Sequence, residues 1–178
     1  MKLIIIALAF VVSAVIFVGI SKAFAATAAS APVAIANAKK SDRDAVMSAY
    51  DNFYVALNEM FAGSAEKMVA TWSHSDDVSY MGPDDLFLKG WKNIAANWHA
   101  QAAKKMGGKV VPQDVHVVIG SDIAITNNYE VGENLDAKGE VVKVSIRATN
   151  VFRKENGEWK MISHHTDLLP FLSDKKSN

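Results

Sequence analysis

Near its end the chain carries the segment WKMISHHTDLLP, residues 159–170, in which His164 and His165 stand side by side and Asp167 follows two places on. Such residues serve three ends: metal ligation, proton transfer by an imidazole that a carboxylate orients, or the polar finish of a strand. The segment reads as a strand, whose neighbouring side chains point to opposite faces. His164 and His165 therefore cannot ligate one metal without a bulge, and no metal site is expected. His165 and Asp167 share a face, which strict alternation also gives to Trp159, Met161 and Ser163, and they form the first candidate acid/base pair. The plainer alternative is a surface histidine held by a neighbouring carboxylate.

Other polar residues could do chemistry. WSHSDDVSY, residues 72–80, offers His74, Asp76, Asp77 and Tyr80; Asp77 is a candidate acid, against the alternative that these residues cap a loop. The strand reading of residues 142–152 places Val142, Val144, Ile146, Ala148, Asn150 and Phe152 on one face, so Asn150 interrupts an apolar row and needs a partner, either protein or ligand. Arg147 lies on the opposite face. Asn127 and Asn128 are adjacent, so one of them must point inward, and Asn128 is the candidate. Tyr50, Tyr54, Trp91 and Trp98 occupy apolar helix faces, where they are core, or walls if the core is hollow.

These residues need elements to position them. Val46, Tyr50, Phe53, Leu57 and Met60 recur at steps of three and four, which predicts a helix from about Ser41 to residue 62. A shorter helix is expected over 64–72, and a third over 90–106, carried by Trp91, Ile94, Trp98 and Ala102 and stopped by Gly107-Gly108. After Pro112 the pattern changes to strands over 115–119, 122–132, 141–153 and 158–169, separated by turn residues. Helices first and hairpins afterwards predict an α+β domain, with helices covering one face of an antiparallel sheet. Its other face, with Val151, Trp159 and Met161 as candidates, is expected to join a second copy in a homodimer.

Composition narrows the function classes. The 19 basic and 19 acidic residues balance, which gives no footprint for nucleic acid. There is no cysteine, so disulfides, thiolate metal sites and thiol nucleophiles are excluded. Residues 1–25 begin with Lys2, continue in an apolar run from Leu3 to Ile20 and end on Ala23-Phe24-Ala25, the pattern of an export signal. That run is also long enough to stay as a membrane anchor through residues 3–20, and both fates put the domain outside the cytoplasm, periplasmic or secreted. Residues 26–40 read as an Ala-rich spacer, 41–170 as the domain and 171–178 as a polar tail.

The segments WSHSDDV (72–78), the Gly90-Trp91-x-x-Ile94 helix start and RATNVFRKENGEWKMISHHTD (147–167) resemble the nuclear transport factor 2-like superfamily, within it the SnoaL-like and ketosteroid-isomerase-like proteins. The resemblance covers about residues 43–170. It implies a cone-shaped half-barrel in which a curved antiparallel sheet is covered by three N-terminal helices, with a pocket between them and frequent dimers. It also implies that Gly82 stands where the isomerases carry their catalytic aspartate, and Thr149 where they carry an oxyanion-binding aspartate, while Tyr54 falls near their oxyanion-binding tyrosine. Steroid isomerisation by that mechanism is therefore disfavoured. The reading that results is an exported domain binding a small apolar or amphipathic molecule through Tyr54, Tyr80, Trp91, Trp98, Asn128, Arg147 and Asn150, with no cofactor. Two alternatives stand beside it: an acid/base enzyme using His165 and Asp167 or Asp77, and an oligomerisation module.

Overall fold

The computed structural model describes residues 31–83 and 86–167, with side chains from Lys39 onward. The expected leader, the start of the spacer and the polar tail lie outside the described residues, and among the described residues no helix is long and apolar enough to cross a membrane.

Helix α1 spans Ala31–Phe61. It begins well before Ser41, so part of the presumed spacer is helical. Alanine has the highest intrinsic helix propensity, and a segment with little to bury can still extend a helix that is anchored further along. Its inner face is the expected one: Val46, Tyr50, Phe53, Leu57 and Met60 are all buried. Gly63 stops the helix at φ 112°, where its N–H meets the Met60 carbonyl at 2.9 Å. Helix α2 is Glu66–Thr71. Helix α3, Trp91–Lys104, buries Ile94, Trp98 and Ala102 and ends on Lys105 in the left-handed conformation.

The six strands are β1 (Ser79–Met81), β2 (Phe87–Lys89), β3 (Lys109–Ile119), β4 (Ile123–Leu135), β5 (Val141–Glu155) and β6 (Glu158–Asp167). They form one curved sheet in the order β2-β1-β6-β5-β4-β3, left open between β2 and β3, with the helices over its inner face. The fold is α+β, as the sequence predicts. The sheet is not wholly antiparallel, however, because β1 pairs parallel with β6. The chain leaving α2 is fastened there by a Trp72–Met161 bridge and by the Ser73 N–H on the Met161 carbonyl at 2.9 Å, so it enters the sheet already running alongside β6.

Two irregularities decide which side chains face inward. In β3 the register shifts between Gln113 and His116, with Asp114 at φ 53°. In β6 the pairing moves from Phe152–Met161 to Val151–Ser163, so Ile162 is bulged out of the ladder. A single extra residue reverses the alternation beyond it. Trp159 and Met161 are buried before the bulge, and His164 and Thr166 are buried after it. This corrects the expected faces: His165 and Asp167 do lie together and opposite His164, but not on the face of Trp159. Trp159 and Met161 are likewise core residues and no part of an outer contact surface.

On β4 the polar row is the inner one. Ala124, Thr126, Asn128 and Glu130 are buried, while Ile123, Ile125 and Tyr129 are exposed on the outer face. On β5 the inner row follows the sequence reading, with Ile146, Ala148, Asn150 and Phe152 all buried.

Candidate functional site

Polar side chains from α1, β4, β5 and β6 meet inside the sheet and form a hydrogen-bond chain with one direction. Asn150 Nδ2 donates to Thr126 Oγ1 at 3.0 Å and to Asn128 Oδ1 at 3.3 Å. Asn128 Nδ2 donates to Tyr54 Oη at 2.8 Å. The single Tyr54 hydroxyl proton then goes to Glu130 Oε1 at 3.1 Å. At the other end His164 Nδ1 lies 2.6 Å from Asn150 Oδ1. An amide oxygen only accepts, so Nδ1 carries the hydrogen and Nε2 is left as an acceptor. That Nε2 stands 3.8 Å from Glu130 Oε1, so the two ends of the chain converge.

Burial sets the charge of both ends. Desolvation pushes the Glu130 carboxyl up to about 7, outweighing the Tyr54 hydrogen bond that favours its ionised form. Desolvation, followed by the nearby His165, lowers His164 to about 3, so it is a neutral imidazole at physiological pH. Phe53 and Tyr80 flank its ring, with centroids at 4.9 and 5.9 Å. The Tyr54 hydroxyl is pushed far above its ordinary value by burial and by the charge of Glu130, which keeps it a donor.

Glu130 and His164 line a cavity of about 240 Å³ between α1, α3 and the sheet. Leu57, Phe61, Trp98, Val110, Val144 and Ile146 make its apolar walls, and Tyr80, Gln101, Asn134 and Thr166 add polar edges. Lys104, exposed, stands at its rim. A carboxyl that is half ionised near neutral pH, set in an apolar pocket beside a neutral imidazole, is chemically equipped to take up and return a proton.

The expected site residues divide between three places. Tyr54, Asn128 and Asn150 belong to the buried chain, and Tyr80 and Trp98 line the cavity, with their rings 4.7 Å apart edge to face. Arg147, His165 and Asp167 lie together on the outer face of the sheet, around an open depression of about 370 Å³ that also involves His116 and Tyr129. There His165 Nε2 is 3.6 Å from Asp167 Oδ2, and both side chains are solvent-exposed. Asp77 and Trp91 join neither group. Trp91 stacks on His74 with centroids 4.2 Å apart. Asp77 accepts two hydrogen bonds from Arg153, at 2.6 and 3.1 Å, and these hold its carboxyl well below the usual range. Arg153 also reaches Glu155 and Ser75, so Asp77 serves to fasten the loop after α2 to β5. Among the described residues no group of three or more His, Asp or Glu is placed to hold a metal ion.

Glu130 and His164 were missed in the sequence because each sits where hydrophobic alternation points the wrong way. A signal for Glu130 existed: once Asn128 is placed inward, the residue two positions on must follow it.

A concave, mostly apolar cavity with a few convergent polar groups has the general features of a small-molecule pocket. The SnoaL-like domain profile matches residues 46–168, and the chain belongs to that family. Among solved structures it is similar to a "putative dehydratase" of the NTF2-like family from Streptomyces avermitilis, at 26% identity and a TM-score of 0.65, covering 74% of this chain and 98% of the other. It is also similar to a "putative" calcium/calmodulin-dependent protein kinase type II association domain from Thiobacillus denitrificans, at 29% identity and a TM-score of 0.58, covering 68% and 92%. An NTF2-like protein with a cystatin-like fold from Novosphingobium aromaticivorans, 17% identical with a TM-score of 0.61 and coverage of 78% and 88%, shares the fold. No curated protein matches the chain.

Proposed function

We propose that this domain binds a small, largely apolar molecule in the cavity between α1, α3 and the sheet, and that Glu130 moves a proton to and from it. The observation that carries this reading is the Glu130 carboxyl, buried against the cavity, raised to about 7 and oriented by Tyr54. An ordinary structural carboxylate is exposed or ion-paired, whereas this one is buried beside an imidazole that is itself held neutral. The likeness to a dehydratase-named structure agrees with it, since dehydration needs a group that removes one proton and delivers another. His165 and Asp167 lie across the sheet and open to solvent, so they are assigned no part in this step. The export pattern of residues 1–25 supports a place outside the cytoplasm.

The test is mass spectrometry of small molecules extracted from the purified protein, with Val144→Trp as a control that fills the cavity. A compound recovered from wild type and missing from the control is the expected result. Incubated in deuterated water, that compound should gain carbon-bound deuterium with wild type and not with Glu130→Gln. Exchange that continues in Glu130→Gln would remove the proton-transfer role and leave a binding module.

A second reading rests on the outer sheet face, where Val118, Ile123, Ile125 and Tyr129 are all more than a third exposed. We propose that this face joins a second copy of the chain, an arrangement consistent with the likeness to an association domain.

A further inference from the structure

The buried chain owes its direction to one backbone oxygen. Asn128 Nδ2 has two hydrogens, and besides Tyr54 Oη it donates to the Tyr129 carbonyl at 3.0 Å. A carbonyl only accepts, so turning the Asn128 amide over would set two acceptor oxygens against each other. With Asn128 fixed, its Oδ1 must receive, and Asn150 Nδ2 is the group that gives. The second Asn150 hydrogen goes to Thr126 Oγ1. Asn150 Oδ1 is then the atom left for His164 Nδ1, at 2.6 Å. The Tyr54 hydroxyl, already an acceptor from Asn128, gives its own hydrogen to Glu130.

A reversed chain would have opposite ends. With both amides turned over, Tyr54 would give its hydrogen to Asn128, and Asn150 would donate to His164 Nδ1. The imidazole hydrogen would then stand on Nε2, 3.8 Å from Glu130 Oε1. An N–H in that place favours the ionised carboxyl, whereas a lone pair there favours the protonated one. The Tyr129 carbonyl therefore decides, through two asparagines, which charge state of Glu130 its neighbour supports.

We propose that Asn150 is a positioning residue for the proton transfer assigned to Glu130: locked through Asn128 on the Tyr129 carbonyl, it holds His164 in the Nδ1–H form and keeps Nε2 bare of hydrogen beside the carboxyl. This rests on the reading above and names what keeps Glu130 able to hold a proton. Tyr50 and Tyr54 face the pair from α1, Tyr80 from β1 and Lys104 from the cavity rim, and His165 adjoins His164 on β6. Burial holds both α1 tyrosines above their ordinary value, so they stay neutral near pH 7.

The test is nitrogen-15 NMR of the His164 ring in the full-length protein, with carbon-13 titration of the Glu130 carboxyl. Wild type should carry the hydrogen on Nδ1. Asn150→Leu removes the acceptor, so the hydrogen should move to Nε2 and the Glu130 midpoint should fall by about one pH unit or more. Thr126→Val strands one Asn150 hydrogen but leaves the lock in place, and should keep the hydrogen on Nδ1. Loosened packing that admits water would also lower the midpoint, so Asn150→Leu is repeated in a His164→Leu background, where it should leave the midpoint in place. An equal fall with and without His164 would overturn the positioning role. A wild-type hydrogen on Nε2 would overturn it whether or not the variants fold, and with a midpoint near 7 it would leave the proton-transfer reading intact. A wild-type midpoint near 4.5 would instead remove that reading, and this inference with it.

Discussion

His164 Nε2 stands 3.8 Å from Glu130 Oε1, with both side chains buried, yet the contact is not an ion pair at neutral pH. Each group is pushed by desolvation toward its neutral form, the carboxyl upward and the imidazole downward. Asn150 completes the arrangement by taking the Nδ1 hydrogen, so a neutral imidazole presents its lone pair beside a carboxyl that ionises near pH 7. The proposed proton transfer rests on this pair, which at neutral pH is no ion-paired bridge.

Glu130 makes stability depend on pH in the opposite sense to an ion-paired carboxylate. Its folded pKa of about 7 exceeds the ordinary 4.5, so the folded state keeps a proton that the unfolded chain has lost. Stability therefore falls as pH rises from about 4.5 to 7, and the cost is complete above 7. Glu130→Gln should be level with wild type or less stable near pH 4.5, and should gain on it by up to about 3 kcal/mol by pH 8. Urea unfolding across this range measures it; a difference independent of pH would contradict the shift.

His164 acts in the other direction. The unfolded chain binds a proton near pH 6.5, whereas the folded imidazole does so only near 3, so this group costs stability as pH falls from 6.5 to 3. Between 4.5 and 6.5 the two contributions have opposite slopes and cancel. His164→Gln should remove the acid loss and expose the Glu130 slope. An unchanged profile in that variant would mean that His164 takes up its proton at the same pH in the fold as in the unfolded chain, against the downward shift.

Asn150 should be the most costly of the buried asparagines to truncate, because its amide touches Thr126, Asn128 and His164 together. Asn150→Ala should lose roughly 2 to 4 kcal/mol, since it strands several buried polar groups at once. Asn127→Ala, which removes an exposed contact to Thr149, should stay within about 0.5 kcal/mol. Denaturant midpoints compare them, and equal losses would argue against a connected network.

Much of this was legible in the residues, and the exceptions share a cause. The inner row of β5 and the inner faces of α1 and α3 were read correctly because they are apolar rows packed into a core. On β4 only Asn128 is legible as an inward residue, because Thr126 and Glu130 look more like a solvent face than Ile123, Ile125 and Tyr129 do. A hollow interior reverses the usual rule: polar groups gather where a ligand would sit, and apolar ones collect where another surface would cover them. The Ile162 bulge has no residue signature, and it exchanged the apparent roles of His164 and His165. Sequence pattern can therefore name Tyr54, Asn128 and Asn150 and still miss the two groups that they orient.

The outer face gives a separate prediction. Ile125→Asp places a charge on the exposed side of β4, where it should leave the core untouched and break a homodimer built on that face. Sedimentation of wild type as a dimer and of Ile125→Asp as a folded monomer at micromolar concentration is expected. A wild-type monomer would refute the contact.

The most direct measurement is a pH titration of the Glu130 side-chain carboxyl by carbon-13 NMR, with Glu130→Gln to assign the signal. A midpoint near 7 is predicted, from a carboxyl buried against the cavity and beside a neutral His164. A midpoint at its ordinary value near 4.5 would show an ionised, solvated side chain at neutral pH and contradict the proton-transfer account.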